Sequence, residues 1–242
     1  GVVESLRTVK SPSELEKLRI SASYVDAGMR AGMDEIAVGK TENDIVSEMM
    51  GKAIKAGSEY VGMEPLMASG PRCGIPHGTW RRRVIEAGDP VFLEMAAAHD
   101  RYHASLMRSA WMGQPNDIAR RMMDCILEGL QAALDALKPG NTCAEVHDAC
   151  QAVIDKYGYT ENFKKRTGYS VGISFAPDWG EGNVLSLYTG IDRELEPGMA
   201  FHIPPALRIY GEFTVGVSET AIVTESGCET LSNFPRDLYI ID

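Results

Sequence analysis

The chain has 242 residues, of which 44% are hydrophobic and 24% charged, a composition typical of a globular protein with one large domain or two small ones. Its formal net charge of −10 at pH 7 disfavours nucleic-acid or anionic-membrane binding, and no apolar run is long enough for a transmembrane helix. The five cysteines lack the spacing of a zinc site, so we expect thiols in a reducing cytoplasm, with Cys143 and Cys150 buried.

Capping boxes mark the starts of three helices, because a hydroxyl residue is followed three positions later by a carboxylate. These boxes are Ser11–Glu14, Thr41–Asp44 and Thr142–Glu145. In chain order we predict a helix from Leu15 to about Ile36, a helix ending at Gly57, strands at Pro65–Ser69, Pro90–Ala97 and Tyr102–Trp111, a helix from Asp117 to about Leu137, a helix ending at Gly158, and strands at Tyr169–Phe175, Met199–Ile209 and Glu212–Val223.

The second and third capped helices form an internal repeat. The segment that starts at Gly39 aligns with the segment that starts at Gly140, at a constant offset of 101 residues. In each half, strands follow the capped helix, which predicts an α+β fold with one sheet shared by two related halves and helices on one side. The sequence shows no linker, so residues 1–242 are predicted to form one domain.

The segment from Met67 to Ser109, together with the end of the chain, resembles the pita-bread family, which includes methionine and Xaa-Pro aminopeptidases, prolidase and creatinase. The matching residues are Ser69-Gly70-Pro71, Pro76-His77, Gly88-Asp89, Tyr102, Arg108, Pro197-Gly198-Met199, Phe201, Pro205 and the run from Glu219 to Gly227. The resemblance covers essentially the whole chain. It implies a pseudo-twofold, curved antiparallel sheet with helices packed on one face, and a homodimer. The N-terminal domain of creatinase-like enzymes is expected to be absent.

The resemblance also places the metal ligands of the family's metallopeptidases, which are two Asp, one His and two Glu. These positions fall on Glu94, Ser105, Tyr169, Pro204 and Ser218. Proline has no donor atom, and serine is a poor ligand for a divalent ion. We therefore predict that the protein binds no metal and needs no other cofactor.

The site residues follow from two members that this chain resembles most, creatinase, which works without metal, and ectoine hydrolase, which opens a cyclic amidine. His77 follows Pro76 in a glycine-rich loop and takes the place of the catalytic histidine. Glu94 interrupts an apolar strand, where a carboxyl group must be paired or become neutral. Tyr169 completes the predicted catalytic set. The predicted substrate-binding residues are Tyr102, His103, Asp178, Trp179, Glu181 and Glu219. Because Tyr102 and His103 alternate along one strand, only one of them can face the site.

The resemblance and the lost ligands together predict a metal-independent hydrolase of a non-peptide C–N bond. Its substrate would be a small cationic or zwitterionic compound, with a cyclic amidine such as ectoine as the specific choice. Two alternatives stay open. One is an Xaa-Pro dipeptidase-like metallopeptidase with an atypical site, and the other is a non-catalytic pita-bread binding module.

Overall fold

The computed structural model describes residues 1–163 and 165–242, which form five α-helices and eleven β-strands. The helices are α1 (Val2–Thr8), α2 (Pro12–Glu35), α3 (Glu42–Ala56), α4 (Asp117–Ala136) and α5 (Cys143–Tyr157). The strands are β1 (Leu66–Ser69), β2 (Pro90–His99), β3 (Tyr102–Met112), β4 (Gly168–Ser170), β5 (Ser186–Leu187), β6 (Ala200–Ile203), β7 (Ala206–Ile209), β8 (Phe213–Gly216), β9 (Glu219–Val223), β10 (Cys228–Thr230) and β11 (Leu238–Ile241). Short 3-10 helices lie at Gly70–Gly74 and Thr160–Asn162.

The helix starts agree with the capping boxes. Ser11, Thr41 and Thr142 each cap a helix, and in each box the carboxylate three residues later accepts from the cap backbone. The four predicted helices are confirmed with ends that shift by at most three residues. Helix α1 was not predicted, because it buries no residue and so lacks an apolar stripe facing a core.

Two predicted long strands are each divided in the structure. The run Met199–Ile209 forms β6 and β7, which Pro204 and Pro205 separate because proline offers no N–H to a ladder. The run Glu212–Val223 forms β8 and β9, with Val217 and Ser218 between them. Strands β5, β10 and β11 lie outside the predicted strands, and β11 runs parallel to β3.

The strands form three hydrogen-bonded sheets rather than the one predicted. A four-stranded sheet has the order β1-β2-β3-β11, a five-stranded sheet has the order β10-β9-β6-β4-β5, and β7 pairs with β8. Strands β3 and β9 meet where the two large sheets adjoin. There Met107 N donates to Ser218 Oγ at 2.7 Å and Ser105 N donates to Thr220 Oγ1 at 3.1 Å. Because side-chain hydroxyls replace backbone carbonyls at these points, the two sheets adjoin without a continuous ladder.

The internal repeat is visible in the backbone. Thr41 forms an antiparallel bridge with Val84, and Thr142 forms the equivalent bridge with Glu194. Gly39 and Gly140 both have a φ of 90°, which glycine adopts without strain. One hydrophobic core joins α2 and α3 to the four-stranded sheet, and a second core joins α4 and α5 to the other strands. The two halves therefore meet at the β3–β9 junction, next to the cavity described below.

All five cysteines are free, and both Cys143 and Cys150 are buried as predicted. Within residues 1–163 and 165–242, no helix has the length and apolar character needed to cross a membrane. The cytoplasmic location stays a prediction.

Candidate active site

A cavity of about 270 Å³ contains the three residues predicted to be catalytic, His77, Glu94 and Tyr169. Its other charged lining residues are Lys165, Arg166, Asp178 and Arg208. Trp179 and Pro204 add apolar surface. This volume lies just below the roughly 300 Å³ at which small-molecule pockets usually begin, so the cavity suits a compact compound.

Glu94 lies in the middle of β2, between Leu66 of β1 and Met107 of β3. It is only 8% exposed, and burial raises the pKa of its carboxyl group, while the positive charges of Lys165 and Arg208 oppose this rise. Among the described residues, none forms a hydrogen bond or a close ion pair with Glu94. The carboxyl group is thus available to a ligand.

Three cationic side chains, none of which is among the predicted site residues, line the same cavity. Burial, followed by the charge of Arg208, lowers the pKa of Lys165 to about 8, although Glu94 opposes this change. Arg208 Nε is buried and has no hydrogen-bond partner in the described part of the chain. Arg166, in contrast, donates to Ser186 Oγ at 2.9 Å and stacks over the Tyr169 ring at 4.7 Å. Two of the three cations can therefore engage a ligand without breaking an existing bond.

A signal for these cations exists in the sequence, but it is weak. Lys165 and Arg166 precede strand β4 with only Thr167 between them, and Arg208 interrupts the otherwise apolar strand β7. A basic residue before or within a strand is usually solvated, so its place in a cavity becomes evident only from the tertiary structure.

His77 lies in a loop that is held at both ends by the buried carboxylate of Glu42. This carboxylate accepts from Ser69 N at 2.8 Å and from Arg81 N at 2.5 Å, and it pairs with Arg72 at 2.7 Å. His77 itself has a φ of 55°, a left-handed conformation that is uncommon for a residue other than glycine. The loop therefore presents the imidazole of this exposed residue from a strained backbone position, which is a frequent feature of functional sites.

The His77 ring is not hydrogen-bonded to any described residue, and it faces the cavity. Partial burial lowers the pKa of His77, and the positive charges of Lys165 and Arg208 lower it further. The imidazole is consequently neutral at pH 7 and can accept a proton.

Tyr169 and Trp179 form one wall of the cavity. The Trp179 Nε1 donates to the Tyr169 hydroxyl at 2.8 Å, and Trp179 is 1% exposed. Burial raises the pKa of Tyr169 far above its ordinary value, with the charge of Glu94 adding to the rise, so the phenol keeps its proton. Asp178 also lines the cavity, and its Oδ1 accepts from Gly180 N at 2.9 Å. The predicted site residues Tyr169, Asp178 and Trp179 therefore line the same cavity.

The predicted substrate-binding residues Tyr102 and His103 do not line this cavity. Tyr102 donates its hydroxyl proton to Glu14 at 2.7 Å, and His103 is fully buried, with Nε2 accepting from Gly62 N at 3.1 Å. Strand alternation does point the two side chains in different directions, but each already has a partner elsewhere in the fold.

Glu181 and Glu219 also lie outside the cavity lining. Glu181 pairs with Arg7 at 2.9 Å and with the buried Lys10 at 3.0 Å, which anchors the N-terminal segment. Glu219 pairs with the buried Arg108 at 3.0 Å. The sequence context predicts both carboxylates at the site. In the structure they instead form buried ion pairs that connect segments distant in the sequence.

Comparisons with known proteins agree with this fold. The profile of metallopeptidase family M24 matches residues 16–225. The ectoine hydrolase of Halomonas elongata is 36% identical to this chain, and the match covers 99% of this chain and 62% of the hydrolase. The Xaa-Pro dipeptidase of Pyrococcus furiosus is 29% identical, and the match covers 98% of this chain and 66% of the dipeptidase. The X-Pro aminopeptidase structure from Thermotoga maritima superimposes with a TM-score of 0.92 at 27% identity, over 99% of this chain and 66% of that one. The chain thus spans 62–66% of the length of these two curated relatives, and the expected pita-bread fold is confirmed.

The name of the matching family implies a metal centre, but the side chains at the ligand positions do not suit one. Ser218 Oγ is hydrogen-bonded to Met107 N and lies 2.8 Å from a histidine nitrogen, and the Tyr169 hydroxyl is held by Trp179. Pro204 offers no donor atom. Over residues 1–163 and 165–242, no three His, Cys, Asp or Glu side chains come together in a way that could hold a metal ion. Glu94 is the one carboxylate at these five positions, and a single carboxylate does not make a two-metal site.

Proposed function

We propose that this chain is a metal-independent hydrolase of a C–N bond in a small zwitterionic compound. The chain belongs to metallopeptidase family M24. Its cavity combines a carboxyl group and a guanidinium Nε that have no hydrogen-bond partner among the described residues. A cyclic amidine that carries a carboxylate, such as ectoine, is the specific substrate proposed. The similarity to an ectoine hydrolase supports this choice. The observation that carries the proposal is the presence of both charge types in one small cavity.

The charges of the lining residues suit a zwitterion better than a simple cation. Lys165, Arg166 and Arg208 provide three positive charges, and Glu94 and Asp178 provide two carboxylates. A carboxylate on the ligand would pair with Lys165 and with Arg208 Nε, which lacks a partner within residues 1–163 and 165–242. An amidinium group would pair with Glu94 and favour its ionised form.

The proposed reaction consumes one water molecule. The water oxygen bonds to the amidinium carbon, one C–N bond breaks, and the departing nitrogen takes a proton, which leaves an amide and an amine. His77, which is neutral and faces the cavity, accepts the proton from water and returns it to the nitrogen. Glu94 holds the amidinium carbon in place or attacks it directly, in which case water hydrolyses the resulting adduct.

A chelator experiment tests this function. Purified protein is incubated with ectoine, with and without EDTA, and the ring-opened product is followed by NMR, while an Xaa-Pro dipeptide serves as the parallel substrate. We expect ectoine turnover that EDTA leaves unchanged. Activity that disappears with EDTA and returns with manganese would instead favour the Xaa-Pro dipeptidase-like alternative. Calorimetric binding of ectoine without any turnover would favour a binding module.

The pKa of Lys165 gives a prediction for the pH dependence of KM. A lysine is charged below its pKa, so raising the pH through about 8 removes the positive charge that would bind the substrate carboxylate. We expect KM for ectoine to rise above pH 8 in the native protein. The variant Lys165→Arg keeps its charge at this pH and is expected to show a flat KM up to pH 9 or so. Equal KM profiles for the two proteins would show that Lys165 does not bind the carboxylate.

We also propose a cytoplasmic homodimer, which rests on the family resemblance. Analytical ultracentrifugation of the purified chain measures its oligomeric state directly.

A further inference from the structure

The side chains of Trp179, Tyr169, His202 and Ser218 form a continuous series of hydrogen bonds from the cavity wall into the β3–β9 junction, which we call the relay. The Trp179 Nε1 donates to the Tyr169 hydroxyl at 2.8 Å, and that hydroxyl lies 2.8 Å from His202 Nδ1. The other nitrogen of the ring, Nε2, lies 2.8 Å from Ser218 Oγ. Two members of this relay, Tyr169 and Ser218, occupy positions where metallopeptidases of this family have metal ligands.

The direction of these hydrogen bonds follows from counting protons. His202 is fully buried, and burial lowers the pKa of its ring well below the ordinary value, so one nitrogen carries a proton and the other accepts. If Nε2 carried the proton, Ser218 Oγ would accept both from Nε2 and from Met107 N. The Ser218 hydroxyl proton would then be buried with no acceptor among the described residues, which costs about 1–3 kcal/mol.

The opposite arrangement pairs every fully buried group and leaves without an acceptor, among the described residues, only the hydroxyl proton of Tyr169, which lines the cavity where water or a ligand can accept it. Ser218 accepts from Met107 N and donates to His202 Nε2, so His202 carries its proton on Nδ1 and donates to Tyr169. The Tyr169 oxygen then accepts two hydrogen bonds, one from His202 and one from Trp179. Both acceptor sites of the hydroxyl are filled, so its own proton is free to point elsewhere. Tyr169 lines the cavity, which makes a ligand atom the natural acceptor.

We propose that Ser218 and His202 are positioning residues that fix the Tyr169 hydroxyl as a hydrogen-bond donor into the cavity, toward an oxygen of the bound ligand or of the hydrolytic adduct. A donor that is oriented before the reaction needs no reorganisation when charge develops on that oxygen. The part of this inference that concerns the ligand rests on the proposed function, whereas the proton positions in the relay do not.

The tautomer of His202 tests the relay without any substrate. Histidine-selective ¹⁵N labelling and long-range ¹H–¹⁵N correlation spectra show which ring nitrogen carries the proton, and comparison with His202→Gln identifies the signals. If that variant does not fold, the signals that change in Ser218→Ala identify them instead. We expect the proton on Nδ1. A proton on Nε2, or on both nitrogens, overturns the relay.

Turnover of ectoine tests the donor role. Ser218→Ala and Tyr169→Phe are each expected to lower kcat roughly 10-fold, the value of one hydrogen bond, with a smaller change in KM. Ser218→Thr keeps the hydroxyl and is expected to retain most of the activity. Ser105→Ala is the matched control, because Ser105 also occupies a lost ligand position but its Oγ has no partner in the described part of the chain.

The outcomes separate this inference from the proposed function. If Ser218→Ala lowers kcat no more than Ser105→Ala does, the donor role is wrong even when His202 has the expected tautomer. If the native protein does not hydrolyse ectoine, the proposed substrate fails, while the tautomer still decides whether the relay has the assigned direction.

Discussion

Replacing His77 with asparagine is expected to lower kcat for amidine hydrolysis by about 10²–10⁴-fold, the usual contribution of a general acid–base residue. The imidazole faces the cavity and is neutral at pH 7, because burial and two neighbouring cations lower its pKa. Asparagine cannot exchange protons in this pH range. It does tolerate the left-handed backbone at φ 55°, which alanine accommodates less well.

The control for this substitution is His99→Asn. His99 lies at the end of β2, where its Nδ1 is 3.4 Å from the Tyr24 hydroxyl, and it does not line the cavity. We expect native kcat in this control and similar melting temperatures for both variants and the native protein. Equal activity of His77→Asn and the native protein would contradict a catalytic role for His77 and would favour the binding-module alternative.

Replacing Glu219 with alanine is expected to destabilise the protein by roughly 3–5 kcal/mol, because it leaves the buried guanidinium of Arg108 without a counter-charge. Both side chains are at most 1% exposed, and Arg108 Nη2 lies 3.0 Å from Glu219 Oε1. Arg108 also donates to the carbonyls of Ser218, Phe234 and Pro235. The pair therefore holds the segment before β11 against the junction of the two halves.

Urea denaturation at pH 7, followed by circular dichroism, measures this effect as a change in the free energy of unfolding. The matched control is Glu128→Ala, which removes a carboxylate from the exposed ion pair with Lys156. We expect little change in that control, because exposed ion pairs contribute little to stability. A Glu219→Ala variant as stable as the control would show that Arg108 finds solvent or another partner when Glu219 is absent.

The candidate site was predictable from sequence only in part. His77, Glu94, Tyr169, Asp178 and Trp179 stand in recognisable motifs, and all five line one cavity. The cationic lining residues of the cavity were not predictable, because Lys165 and Arg208 belong to no motif and come near Glu94 only in the folded chain. The remaining predicted binding residues have partners far away in sequence, as with Lys10 and Glu181, which are 171 residues apart.

The sequence by itself determined helices α2 to α5 and the internal repeat, and it shows that four of the five ligand positions assigned from the family resemblance carry neither a carboxylate nor an imidazole. A helix cap depends on residues three positions apart, and the ability of an atom to bind a metal depends on the residue type, so both can be read without a fold. The tertiary structure decided how the strands divide into sheets, which charges are paired, and which side chains share the cavity. These features depend on contacts between distant segments, as when Met107 N binds Ser218 Oγ, 111 residues away, and such contacts leave no pattern in the local sequence.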